Sequence, residues 1–310
     1  MFAILRCNAR KTFVFTILVL IIVSGCRFYF DTTKDQYTVT KTSHSLENGR
    51  NIAFNVCVPC HYNHELNKLV GMPLNDLPKI GGRLVSANLT HSTSNGIPPH
   101  YTDAELFYLF KTGISKNGKF MPYMMRPMMA DEDVNDLITF LRSDDPALAA
   151  ADTTVGKTHI NLIGRIGIRT LVSPKPYKKG VTGPDKNDPV AYGRYLVAIM
   201  SCYHCHSTKA KKIDFADAEK TKFYLQGGMK LKDPTGKKIR SPNLTPDKET
   251  GIGNFSKDDF RKAIMEGITP TGRHLSPPMP EFKELTDVQV DALYAYLKSI
   301  PPVHHEVKRR

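Results

Sequence analysis

Cys57-Val58-Pro59-Cys60-His61 recurs as Cys202-Tyr203-His204-Cys205-His206. Cys-x-x-Cys-His is the attachment sequence of c-type haem. Two thiols add across the two porphyrin vinyl groups, so two intervening residues must set the sulfurs about a vinyl separation apart. The histidine that follows then reaches the iron from one face. A zinc site built from the four cysteines, or a pair of thioredoxin-like dithiols, would leave the doubled histidine without a reason. The reading is two covalently bound haem c groups, on Cys57, Cys60 and His61 and on Cys202, Cys205 and His206.

The sequence around each motif is also written twice. Gly49-Arg50 precedes the first motif and Gly193-Arg194 the second. Ser86 to Thr90 reads Ser-x-Asn-Leu-Thr, and so does Ser241 to Thr245. Gly96-Ile97 matches Gly251-Ile252, and Gly113 and Gly118 match Gly267 and Gly272. A helix start follows in each copy, Thr102-Asp103-Ala104-Glu105 and then Ser256-Lys257-Asp258-Asp259. Both copies close on an amphipathic helix. Val134, Leu137, Ile138 and Leu141 recur at helical spacing, as do Val290, Leu293, Tyr294 and Leu297. Thr286-x-x-Gln289 is a capping box for the second of these. The spacing predicts units at 45–148 and 188–303, each of ordinary domain size. Between them, 149–187 is rich in Gly and Pro and reads as an irregular linker, a strap at first and then a flexible approach.

Composition narrows the class. The chain has 310 residues, a formal net charge of +13, 11 Met, 21 Pro and no Trp. Its lysines are scattered, with a modest concentration around 209–238 and a basic tail at 304–310, so no nucleic-acid partner is expected. Of six cysteines, four lie in the haem motifs; Cys7 and Cys26 remain. Arg6, Arg10 and Lys11 precede an apolar run from Thr12 to Val23, the pattern of a signal peptide. As helix that run covers only about 18 Å, against a hydrocarbon core of ~30 Å. It ends in Val23-Ser24-Gly25-Cys26, which resembles the bacterial lipobox. The expectation is a lipoprotein signal peptide at 1–25, lipid attachment at Cys26, and a tether at 26–44. Loss of Cys7 with the leader leaves no spare thiol, which suits an oxidising compartment. The expected place is the periplasmic side of a bacterial membrane, held by lipid rather than by a spanning helix.

Together these residues resemble the class I cytochrome c family over 45–148 and 188–303. The resemblance implies an all-α fold, here a tandem duplication of class I cytochrome c domains with an irregular linker. In that fold the first and last helices of a domain cross. Gly49 and Gly193 would sit at the crossings, with Phe140 and Tyr296 packing there. The run from Asn243 to Ser256 is similar to the cytochrome subunits of membrane-bound alcohol and aldehyde dehydrogenases. Those subunits often carry three haem domains where this chain has two.

The resemblance also implies a methionine as second axial ligand. In the second unit Met279, in Pro277-Pro278-Met279-Pro280, has that place. In the first, Met121, Met124, Met125, Met128 and Met129 crowd it. Met124 is the choice, because Pro122-Tyr123-Met124 matches Pro277-Pro278-Met279 at the 155-residue step that relates Asn88 to Asn243; Met121 is the next candidate. The metal ligands are thus His61, Met124, His206 and Met279. His64 and His204 are expected at the surface. Two six-coordinate haems leave no position for substrate, so the implied role is an electron carrier rather than an enzyme. Expected partners are redox proteins: a dehydrogenase, a quinol oxidoreductase or a terminal oxidase. A diheme redox enzyme acting on peroxide or sulfur compounds is the alternative.

Overall fold

The computed structural model describes residues 37–74, 79–152, 155–207, 213–233 and 235–308. The expected leader 1–25 and Cys26 lie outside them. No helix among the described residues is long and apolar enough to cross a membrane.

Helix α1 (Ser43–Val56) begins at a capping box in which Thr42 and Ser45 each accept from the other's backbone N–H. It runs into a one-turn helix α2 (Val58–His61) that carries the first motif. Helix α3 (Asp103–Thr112) starts at the expected Thr102–Glu105 box and ends on Gly113 in the left-handed conformation, which suits a residue without Cβ. Helix α4 (Asp131–Leu141) carries three acidic residues in its first turn, where they meet the positive end of the helix dipole. It lays Val134, Leu137, Ile138 and Leu141 into the core, all essentially inaccessible to solvent.

The close approach that the resemblance implies is present. A Cβ built on Gly49 would lie 1.9 Å from the carbonyl oxygen of Asp136 and 3.1 Å from Cβ of Phe140. Glycine is therefore what allows α1 to cross α4 at backbone contact.

The linker is more ordered than its composition suggests. β1 (Pro73–Leu74) pairs antiparallel with β2 (Gly82–Val85), Pro73 opposite Val85. The linker then adds β3 (His159–Ile160), with Gly82 opposite Ile160. Helix α5 (Leu162–Leu171) follows, capped by Asn161, whose side chain accepts from Gly164 N. Two glycines weaken a helix. Here one is required, because a Cβ on Gly164 would stand 2.2 Å from the carbonyl oxygen of Gly81. Further on, Asp131 anchors the strap: its N–H donates to Val181 O at 2.8 Å, and its carboxylate accepts from Gly180 N at 2.6 Å.

The second half repeats the plan. Helix α6 (Pro189–Ile199) is capped by Asp188 and has Pro at N1, where the missing N–H costs nothing. A short helix α7 (Cys202–His206) carries the second motif. β4 (Lys230–Lys232) and β5 (Lys238–Arg240) form a hairpin. Helix α8 (Lys257–Arg261) starts at the expected Ser256–Asp259 box and runs on through a wide turn to Gly267. Helix α9 (Asp287–Ser299) starts at the expected Thr286–Gln289 box. It crosses α6 at Gly193, whose added Cβ would lie 1.9 Å from Ala292 O and 2.7 Å from Cβ of Tyr296.

Polar contacts join the halves. Asn51 donates to Glu284 O at 2.6 Å and accepts from Gln289 Nε2 at 2.7 Å. Arg50 reaches the Glu284 carboxylate at 2.9 Å. Tyr195 donates its hydroxyl to Asp133 and accepts from Ala130 N at 2.9 Å.

Candidate functional site

Each Cys-x-x-Cys-His segment forms a single helical turn directly after the first long helix of its half. One turn places the two cysteines and the histidine on neighbouring positions. None of Cys57, Cys60, Cys202 and Cys205 is joined in a disulfide. Burial pushes the Cys57 and Cys202 thiols up to about 12, so these sulfurs are neutral at ordinary pH.

The histidines show what the site is built for. Both are buried. His61 Nδ1 lies 2.7 Å from Ala87 O, and His206 Nδ1 lies 2.9 Å from Pro242 O. A carbonyl only accepts, so each Nδ1 must carry the proton. The bond fixes the neutral tautomer and leaves Nε2 with its lone pair, as a metal ligand needs. Burial lowers both imidazole pKa values, against the opposing pull of the carbonyl bond, which further favours the neutral ligand. The residues present therefore fit a covalently held haem in each half: two cysteines outside any disulfide and one oriented imidazole per segment.

The loop supplying that carbonyl is held alike in both halves. The backbone N–H of Gly71 donates to His61 O at 2.8 Å, and that of Gly227 donates to His206 O at 2.7 Å. Asn88 donates to Ala151 O at 2.7 Å and Asn243 to Val303 O at 2.8 Å, tying each loop to the chain beyond the last helix. Thr90 and Thr245 donate to the same two carbonyls. The repeated Asn-Leu-Thr is thus a buried backbone clasp in both halves. Arg240 is likewise tied to Gly228 O at 3.1 Å.

Met124 and Met279 are both half-buried and both pack against the hydrophobic core. Met125 and Met129 are fully buried, and Met128 is exposed. The backbone corrects the numerical argument that paired Met124 with Met279. Met121 N donates to Gly113 O, and Leu275 N to Gly267 O, a step of 154 residues. After the methionines, Arg126 N donates to Phe110 O, and Phe282 N to Ile264 O, so the second loop is two residues longer. The 155-residue step that joins Asn88 to Asn243 does not run through these loops.

His204 is a second correction. It is not a free surface residue: its ring packs on Tyr203 and on Phe215, at centroid distances of 4.5 and 4.8 Å. Burial, with the nearby Arg126 charge, lowers its pKa to about 3. Phe215 follows the motif by enough residues that only the folded chain reveals the contact. His64 is exposed as expected. His91 spends its Nε2 on Leu141 O at 2.9 Å, and His100 on Thr93 O at 2.8 Å.

Residues 190–301 match the cytochrome c family. The match takes in the second attachment motif and the helices that cross at Gly193. Over 116 residues the chain is 39% identical to a nicotinate dehydrogenase subunit of Pseudomonas putida, covering 37% of this chain and 9% of that one. It is 39% identical over 117 residues to the gluconate 2-dehydrogenase cytochrome c subunit of Pantoea cypripedii, covering 37% and 24%. A diheme cytochrome c-type protein of Cereibacter sphaeroides is 27% identical over 134 residues, covering 39% and 43%. The chain spans under a quarter of the length of the first two relatives. A c-type cytochrome similar to dehydrogenase cytochrome subunits is the class that the motif, the histidine geometry and these likenesses share.

Proposed function

We propose that this chain is a periplasmic, lipid-anchored diheme electron carrier. It would pass single electrons from a dehydrogenase or quinol-side donor to a respiratory acceptor. The observation that carries the reading is the doubled histidine clasp. His61 and His206 each donate through Nδ1 to a loop carbonyl, and each follows a pair of cysteines that form no disulfide. A duplication of class I cytochrome c domains, 45–148 and 188–303, accounts for this and for the two glycine crossings. When bound, haem supplies a one-electron couple at iron. The chain's residues do the rest. Cys57, Cys60, Cys202 and Cys205 would hold two groups covalently, with His61, Met124, His206 and Met279 as the iron ligands. A methionine in that place raises the potential relative to a second histidine. Cys26 would take the lipid, with 1–25 removed.

A dehydrogenase partner is supported by the names of the relatives, which are subunits of nicotinate and gluconate dehydrogenases. The test is reactivity. Purified protein should take up and release electrons while binding no carbon monoxide in the ferrous form. Stoichiometric carbon monoxide binding, together with turnover of peroxide or a sulfur compound, would make it an enzyme instead.

A further inference from the structure

Arg126 lies where the two halves meet, between the two attachment segments. It follows the methionine loop of the first half. Its Nε donates to Ile199 O at 2.9 Å, the carbonyl that ends α6 three residues before Cys202. Its Nη1 donates to Tyr123 O at 2.8 Å and to Met125 O at 3.0 Å. Three backbone carbonyls thus hold the guanidinium, one of them at the negative end of a helix dipole. Among the described residues no carboxylate forms an ion pair with it. The guanidinium stays protonated at any accessible pH, so a fixed positive charge sits there, held by backbone carbonyls.

The surroundings place that charge between the two motifs. Arg126 lines a small cleft with Met128, Ala198, Ile199, Tyr203 and Phe215. Its field reaches Tyr203 and His204 of the second motif and Cys57 and Cys60 of the first. A cation this close to both attachment segments acts on both groups they hold. Reduction lowers the charge on each iron centre by one, so a fixed positive charge favours the reduced form of either. The effect is strengthened here because the guanidinium is partly removed from water.

We infer that Arg126 is a positioning residue shared by the two haem sites, a fixed cation that raises the potential of both together. The inference rests on the two-haem reading proposed above. A shared cation keeps the two potentials in step, which suits transfer between the halves. It also makes each site sensitive to anything that neutralises the cleft.

The test is an equilibrium redox titration of the purified, haem-loaded full chain, followed by visible spectrum, after the haems per chain have been counted. Arg126→Gln keeps a donor but removes the charge. Both midpoint potentials should fall, each by roughly tenfold in the reduction equilibrium, about 59 mV for a one-electron couple. Arg126→Lys keeps the charge and should hold most of that difference. Met128→Glu places a carboxylate on the exposed rim of the same cleft and should lower both potentials without touching Arg126. This variant decides the matter if Arg126→Gln does not fold. The inference is overturned if Arg126→Gln or Met128→Glu moves only one potential or neither, or if Arg126→Lys falls as far as Arg126→Gln. One haem per chain would sink the two-haem reading and the inference with it. Two haems with unmoved potentials would sink the inference alone.

Discussion

His206 donates its Nδ1–H to the carbonyl oxygen of Pro242 across 2.9 Å. That bond sets the tautomer, leaves Nε2 free as a ligand, and ties the proximal loop to the motif. His61 and Ala87 stand in the same relation at 2.7 Å. Two sites organised by the same donor–acceptor pair are the basis for treating the halves as equivalent.

The helix crossings give a stability prediction. Gly49→Ala and Gly193→Ala each force a Cβ to within 1.9 Å of a backbone carbonyl oxygen. Backbone cannot rotate away, so each substitution should cost about 3 kcal/mol or prevent folding. Gly167→Ala is the control: it lies in α5 with nothing within 4 Å of the new Cβ. It should be neutral, or stabilise by about 0.5–1 kcal/mol. Denaturant midpoints check all three. Equal midpoints for Gly193→Ala and wild type would remove the crossing argument.

Capping gives a second. Thr286 accepts from Gln289 N, and Gln289 Oε1 accepts from Thr286 N at 2.9 Å, at the start of α9. Thr286→Ala should lower stability by about 1 kcal/mol. Thr286→Ser should recover most of it, because the hydroxyl is what accepts. A thermal melt followed by circular dichroism reads the difference.

The distal ligands are tested one at a time. Met279→Ala should remove about half of the weak long-wavelength band that sulfur ligation gives ferric haem, lower one potential, and leave the other haem unchanged. Met124→Ala should do the same for the first site. Met128→Ala should change little, since that side chain faces solvent. If Met124→Ala keeps the full band while Met121→Ala or Met125→Ala halves it, the ligand of the first site is the neighbour instead.

Anchoring is tested at Cys26. Cys26→Ser should abolish labelling with palmitate and leave the precursor unprocessed. Labelling that survives the substitution would place the lipid elsewhere or leave a different anchor.

Much of the site was legible because it is local. Cys-x-x-Cys-His fits within one helical turn, so spacing alone carries the chemistry. The caps at Thr102, Ser256 and Thr286 were legible for the same reason: each needs only residues three apart. Gly49 and Gly193 were legible through the family resemblance and their place before each motif. What escaped depends on distant chain. Helix α5 lies in a segment whose glycines argue against a helix. It forms where Gly164 can meet Gly81, with Asn161 as its cap. His204 looked exposed because the ring that covers it, Phe215, comes later in sequence. The clasp role of Asn88 and Asn243 required knowing that Ala151 and Val303 return to meet them. A two-residue difference in loop length around the methionines is invisible to a constant step.

The central claim is that both halves carry covalent haem. Intact-mass spectrometry of the mature protein, after acid–acetone extraction, tests it most directly. The account predicts a mass raised by two haem groups, falling to one in Cys57→Ala/Cys60→Ala and to one in Cys202→Ala/Cys205→Ala. A single haem addition in the unmutated protein, or haem lost to the extract, would contradict it.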